Sequence, residues 1–200
     1  MKKNLKILLV AASILLFILL SIAVMLFTDF QGDLSDDRAV GSVVAWGRDN
    51  HGQVSNTPTG DIFVDIAVGE LHNLALREDG SIAAWGSDKL GSVKDTPEGT
   101  GFIAIAAGAR HSMALREDGT IEAWGWDLRE EISSTPTKGG FKAISVGYTH
   151  SLGLHEDGTI AAWGWERLDA GQINDVPQGN NFIAINAGDF HNLAIMSAGK

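Results

Sequence analysis

Four histidines recur along the chain and are the first residues whose type and spacing suggest chemistry: His72, His111, His150 and His191. Two of them are followed directly by serine, an order that resembles part of a nucleophile and its general base. A catalytic histidine is needed only once, with an orienting acid and an oxyanion site, whereas one histidine per repeat favours an imidazole that ties strands through hydrogen bonds. A ring of four imidazoles around a metal ion is the alternative. We therefore predict no catalytic residue, no metal site, no cofactor and no enzymatic activity.

Each histidine belongs to one copy of a repeat that fills most of the chain. Trp-Gly pairs recur every 39 residues, and phenylalanines and all four prolines keep the same register, with two extra residues before the last copy. The positions are Trp46, Trp85, Trp124 and Trp163, then Phe63, Phe102, Phe141 and Phe182, then Pro58, Pro97, Pro136 and Pro177. A fixed period of this length is typical of solenoids, propellers and similar arrays.

Short β-strands are predicted within each copy. In the second copy they cover 102–108, 111–115 and 120–124. Asp-Gly pairs at 79–80, 118–119 and 157–158 separate two such runs, where a tight hairpin needs the positive φ that glycine adopts without steric cost. Short strands without intervening helices predict an all-β fold, a propeller-like array of about four short antiparallel blades over residues 42–200.

The N-terminal segment differs in kind from the repeats. Residues 7–27 carry no charge, three lysines precede them, and an acidic stretch follows at 28–41. An uncharged run of this length is long enough to span a bilayer as a helix. We expect 1–27 to be a signal anchor, one transmembrane helix, with a cleaved signal peptide as the alternative. Lysines before the span predict a single-pass membrane protein with a cytoplasmic N-terminus, an acidic tether at 28–41 and the propeller domain outside.

Composition narrows the choice of partners. Residues 28–200 contain 12 basic and 25 acidic side chains, a formal charge of −13, which disfavours nucleic acid as a partner. The chain has no cysteine, so disulfides, thiolate nucleophiles and cysteine-ligated metals are excluded.

The repeat resembles that of a known family. Its consensus, Ala-Gly-x-x-His-Ser-x-Ala-Leu-x-x-Asp-Gly-Thr-Ile-x-Ala-Trp-Gly, is matched almost completely by residues 107–125 and nearly as well by 69–86 and 147–164. This pattern is similar to the regulator of chromosome condensation repeat, and the short period is similar to bacterial secreted members, including propeller-type β-lactamase inhibitor proteins. The resemblance implies a propeller, commonly of seven blades, that serves as a rigid platform for protein partners.

Blade number is where the chain departs from that family. Residues 41–199 span a whole number of repeats, opening with one predicted strand at 42–46 and closing with two, at 182–187 and 191–196. Pairing of the terminal strands would bury two sheet edges. Two chains joined in a larger ring, and a shortened remnant of a longer propeller, are the alternatives.

Binding residues are expected where the copies differ. Two places vary: the dipeptide before each histidine, and the residue after each Trp-Gly pair. The predicted partner-binding residues are Leu71, Arg110, Tyr148, Thr149, Phe190, Trp126 and Trp165. The sequence thus predicts a membrane-tethered extracytoplasmic platform that binds a protein of unknown identity, with a homodimer as one possibility. A carbohydrate or cell-wall binding module that uses Trp126 and Trp165 is the alternative.

Overall fold

The computed structural model describes residues 40–128 and 130–198, which belong to one compact unit at 39–200. The predicted signal anchor at 1–27 and nearly all of the acidic tether lie outside the described residues. Within the described part of the chain, no helix has the length and hydropathy needed to cross a membrane.

Short antiparallel strands, in four sheets, make up the described fold. The first blade contains β1 (Phe63–Val68), β2 (His72–Arg77) and β3 (Ile82–Gly86); the second contains β4 (Phe102–Ala107), β5 (His111–Arg116) and β6 (Ile121–Gly125). The third contains β7 (Phe141–Val146), β8 (His150–His155) and β9 (Ile160–Gly164), and a half-blade contains β10 (Phe182–Ala187) and β11 (Asn192–Met196). A short 3₁₀ helix, Glu166–Leu168, follows β9. It lies between Trp163 and Phe182, the segment in which the last repeat has two extra residues. The predicted all-β, blade-like architecture is confirmed for these residues.

The Asp-Gly pairs form the predicted hairpin turns. Gly119 has a φ of +78°, and the Asp118 carboxylate accepts hydrogen bonds from the backbone N–H and the hydroxyl of Thr120. These bonds lower the pKa of Asp118, the hydroxyl bond contributing most. The turn sets the register in which Leu115 faces Ile121, and the same pairing recurs in the first and third blades.

The hydrophobic core lies between neighbouring blades. Leu74 and Leu76, on the middle strand of the first blade, pack against Phe102 and Ile105 on the first strand of the second blade. A second cluster joins the second and third blades in the same way, through Met113, Leu115, Phe141 and Val146. Because each sheet has two faces to cover, each blade depends on its neighbours for burial.

One prediction about the ends of the array is wrong, and one of the arrangements left open for the ends is not seen among the described residues. The strand predicted at 42–46 is not formed; the segment makes one isolated bridge, between Gly41 and Phe63, and places Val43 on the core of the first blade. The clasp between the terminal strands is also absent from the described structure, where β11 pairs only with β10. A strand needs a partner ladder, and none lies along either edge of 42–46.

Candidate functional site

The recurring histidines connect one blade to the next. Nε2 of His72 lies 2.8 Å from Oγ of Ser112, and Nε2 of His111 lies 2.9 Å from Oγ of Ser151. His150 makes the equivalent contact, 2.7 Å, with Oδ1 of Asn192. Each of these three histidines therefore bonds the residue that follows the next histidine, and neither His111 nor His150 bonds the serine beside it in sequence. The expected strand-tying role is confirmed for these three.

Burial keeps these imidazoles neutral. Desolvation lowers the pKa of His72 to about 4, and the pKa of His111 also falls to about 4, mainly through desolvation with smaller contributions from His150 and His72. Desolvation also lowers the pKa of His150, partly offset by its hydrogen bond to Asn192. A neutral ring can accept or donate one proton in its bond to the next blade. Residues 40–128 and 130–198 contain no group of three or more His, Cys, Asp or Glu side chains placed to bind a metal ion.

In the three complete blades, the glycine of the Trp-Gly pair brings the two variable places together. Gly125 has a φ of +107°, and a Cβ there would lie 2.7 Å from the carbonyl oxygen of Arg110. This close approach lets the N–H of Trp126 donate to that carbonyl at 3.0 Å. The same bond joins Ser87 to Leu71 and Trp165 to Thr149. The two variable places, separate in sequence, thus form one surface in every complete blade.

Four of the predicted residues form a continuous row across this surface. The Arg110 guanidinium carbon lies 4.2 Å from the centre of the Trp126 ring and 5.9 Å from that of Tyr148. The rings of Tyr148 and Phe190 are 5.5 Å apart at their centres and tilted by 36°. We call Trp126, Arg110, Tyr148 and Phe190 the aromatic row. It runs from the second blade through the third to the half-blade.

A cavity of about 250 Å³ adjoins the end of the row. Leu71, Arg110 and Trp126 line it, together with Leu90 and Ser92 from the loop after the first blade. Arg110 and Trp126 therefore belong both to the row and to the cavity wall, and Leu71 extends the surface to the first blade.

The other two predicted residues lie next to the row but contribute differently. Thr149 is 2% exposed, so its side chain presents almost no surface. Trp165 is partly buried at the third blade, where its backbone N–H bonds the Thr149 carbonyl. Two of the row's dipeptide residues, Arg110 and Phe190, are second members of their pairs, whereas Tyr148 is a first member, and position in the repeat did not reveal this difference.

Loop-forming aspartates are structural positions beside the row that the sequence analysis did not identify. Asp49, Asp88, Asp127 and Asp169 each accept hydrogen bonds from two successive backbone N–H groups further along the loop. In the second blade, Asp127 binds the N–H groups of Ile132 and Ser133 at 2.8 and 3.0 Å. The loops beside the row are therefore held from within. The sequence does contain a pattern that could have identified them, since three of the four aspartates stand at a fixed distance after a Trp-Gly pair.

Comparison with known proteins assigns the repeat and the fold. The regulator of chromosome condensation (RCC1) repeat matches residues 63–92, 102–129 and 141–172. These matches coincide with the three complete blades and the loops that follow them. A search of curated proteins finds no match.

Several solved propellers have a similar fold. The ectodomain of the receptor kinase CR4 from Physcomitrella patens superposes with a TM-score of 0.67 at 24% identity, over 82% of this chain and 46% of that one. Prp20p from Saccharomyces cerevisiae, described with its binding properties to Gsp1p and histones, gives 0.59 at 19% identity, over 79% and 52%. The Arabidopsis thaliana ACR4 ectodomain gives 0.57 at 21%, over 69% and 48%. The chain thus spans about half the length of the propellers that it matches.

Proposed function

We propose that this chain, which carries three regulator of chromosome condensation repeats, is a protein-binding platform without catalytic activity, tethered outside a membrane. The observation that carries the proposal is the aromatic row. Its residues come from the positions where the repeats differ, and they lie side by side on one face of the array. Positions that the fold does not dictate are free to serve a partner.

The chemistry of the row suits a protein interface. Aromatic side chains and arginine are enriched among the residues that contribute most to binding between proteins. Phe190 is 54% exposed, and Tyr148 and Arg110 are partly so, which leaves apolar area to be buried by a partner. Arg110 already rests on Trp126, so little side-chain entropy remains to be lost when the partner binds.

Acidic residues flank the row. Asp127 and Asp189 are exposed next to Trp126 and Phe190, and the domain as a whole is strongly acidic. Charges at the rim of an interface raise the association rate of an oppositely charged partner. We therefore expect the partner to be a protein with an apolar patch surrounded by basic residues.

A carbohydrate site is supported less well. Stacking of a sugar requires an open indole face, and Arg110 stands over one face of Trp126. The membrane tether is proposed from the charge pattern around residues 7–27.

The proposal is tested by capture of partners with the full-length chain in mild detergent. A Tyr148→Ala, Phe190→Ala double variant is compared with the unchanged chain on extracts from the source cells, with mass-spectrometric identification. Ile183→Ala is the matched control, because Ile183 is similarly exposed on the same half-blade but lies on β10, away from the row. We expect the double variant to lose the captured protein and the control to keep it. Equal capture by all three chains would overturn the proposal.

A further inference from the structure

Apolar side chains at the half-blade are exposed where their counterparts in other blades are buried. Leu193 and Ile195 on β11 are 68% and 59% exposed. The residues at the same repeat positions are Leu74 and Leu76, Met113 and Leu115, and Leu152 and Leu154, all of which are at most 2% exposed. Those inner side chains pack against the first strand of the following blade. The half-blade therefore presents a complete inter-blade face without a blade on it.

The opposite end of the array carries the complementary face. Ile66 and Val68 on β1 are exposed, whereas Ile105 and Val146, which stand at the same repeat positions in later blades, are buried. Trp46 is 85% exposed, although its three counterparts after it are almost fully buried. Val43, beside it, already occupies the core position that Ile82 holds next to the second blade. The 42–46 segment, which forms no strand in the single chain, thus lies at the repeat position of an outer strand, and the other two strands of that blade are missing from its side in the described structure.

Polar groups at the two ends also match. In the first blade, the Gln53 carbonyl accepts from both Asn73 Nδ2 and Trp85 Nε1, each at 2.9 Å. At the half-blade, the Gln172 carbonyl accepts from Asn192 Nδ2 at 2.8 Å and borders a cavity of about 300 Å³. At the half-blade no indole of the described residues donates to the Gln172 carbonyl in the way that Trp85 donates to the Gln53 carbonyl, and the tryptophan at the corresponding repeat position is Trp46.

The histidine series continues across the same junction. His72, His111 and His150 each bond the residue after the next histidine, and in the last case this residue is an asparagine, Asn192. His191 is exposed at the half-blade, and Asn73 stands at the acceptor position in the first blade. An interface between the two ends would place His191 against Asn73, with the geometry that His150 and Asn192 already show.

We propose that the half-blade of one copy docks on residues 42–68 of a second copy, and that two such junctions close one ring of eight blades. The interface is a continuation of the one that the chain builds three times internally. A second copy is favoured over closure within one chain because, among the described residues, β11 pairs only with β10 and forms no ladder with 42–46, while the chain superposes on only about half of larger propellers. Two copies would together supply eight blades, a number within the known range for one propeller.

Disulfide capture tests the junction, because the chain has no cysteine of its own. In the complete blades, Ala75 faces Ala83 across the ladder. The repeat transfers this pair to Ala194 of one copy and Val44 of the other. Antiparallel partners lie about 4.5 to 5.5 Å apart at Cα, a separation that a disulfide spans. We expect the full-length Val44→Cys, Ala194→Cys variant to oxidise to a covalent dimer with no free thiol.

The matched control is Ala45→Cys with Ala194→Cys, whose side chains would project from opposite faces of the composite sheet. We expect it to remain uncrosslinked. A monomer of the first variant closed by an internal disulfide would overturn the proposal in favour of a four-blade ring. A series of higher covalent oligomers would overturn the two-copy ring. Thiols that stay free would overturn it as well, and would be expected if blades from another protein cover the ends.

A second measurement does not depend on thiols. The mass of the full-length chain in density-matched detergent is measured by ultracentrifugation over a range of concentrations. Leu193→Asp, an exposed position in the single chain, should weaken the dimer at least about tenfold, because a carboxylate would be desolvated at the junction. Ile183→Asp is the control, since its repeat counterpart in the third blade is Lys142, a solvent-facing position. Equal dissociation constants for the two variants, or monomers throughout, would contradict the proposal.

Discussion

The junction between the second and third blades and the open edge of the half-blade contain the same repeat position in two environments. Leu115 is fully buried at the inner junction, whereas Ile195, at the same position, is 59% exposed. His111 likewise bonds Ser151 inside the array, while His191 is exposed at its end. The difference shows that a repeat specifies which side chains need a neighbour, but each blade obtains its burial from the next.

The largest expected effect tests this difference in burial. Leu115→Ala should lower the free energy of unfolding by about 2 to 5 kcal/mol, because it leaves a cavity in a closed core. Ile195→Ala should lower it by less than about 1 kcal/mol in dilute protein, where the chain is a single copy. Urea unfolding followed by circular dichroism measures both. Similar losses for the two variants would mean that the half-blade edge is already covered.

Lowering the pH is also expected to reduce the free energy of unfolding. Well above pH 6.5, His72 and His111 are neutral in both the folded and the unfolded chain. Between about pH 6.5 and pH 4, the unfolded chain binds protons at these two residues, whereas the folded chain, in which their pKa values are about 4, does not. Stability should therefore fall as the pH is lowered through this range, by roughly 2 to 3 kcal/mol for each of the two.

Substitution of the inner histidine isolates its share of the pH effect. His111→Gln places a terminal amide near the position of Nε2, where it can bond Ser151, but removes the titrating group, so the loss of stability between pH 7 and pH 4 should become smaller. Denaturant midpoints at a series of pH values measure this loss, and an unchanged pH dependence for His111→Gln would refute the prediction.

A smaller effect concerns the tryptophans. Trp46 is 85% exposed, whereas Trp85 is almost fully buried at the equivalent position. Trp46→Phe should remove the component of fluorescence that acrylamide quenches most strongly, and Trp85→Phe should remove a poorly quenched one. Raising the protein concentration should protect Trp46 if two copies join. Trp46 quenched no faster than Trp85 in dilute protein would contradict the described exposure.

The smallest effect is expected for ion pairs outside the blade junctions, where a substitution in the middle of the array and one near its end should change stability by similarly small amounts. Arg116 pairs with Glu122 in the second blade, and Arg77 pairs with Asp61 beside the first blade, both at partly exposed positions. Glu122→Gln and Asp61→Asn should each change stability by no more than about 1 kcal/mol, since solvent screens such pairs. A much larger loss for either, by thermal unfolding, would show that the pair has a further structural role.

The inner blades were predictable from particular residues. Asp118 and Gly119 mark a hairpin whose turn geometry is local, and the apolar runs around them mark the strands, so both followed from neighbouring positions alone. The histidines could be assigned to strand-tying bonds because a feature repeated in every copy serves the fold. The partners of those bonds, Ser112 and Ser151, were not predictable as partners, because they lie about 40 residues away.

The candidate site was predictable only in part. Its residues were identified from the variation among copies, but the contact of Arg110 with both Trp126 and Tyr148 requires two blades to be set side by side. The near-complete burial of Thr149, next to Tyr148 in sequence, could not be read from its position either.

The sequence by itself determined the repeat, the strands, the hairpins and the identity of the residues that differ between copies, because these depend on local conformational preference and period. The tertiary structure decided which of the repeated side chains are covered, which histidine meets which acceptor, and how the variable residues join into one row. These depend on the placement of one blade against another, and the same residue type is core in the middle of the array and surface at its end.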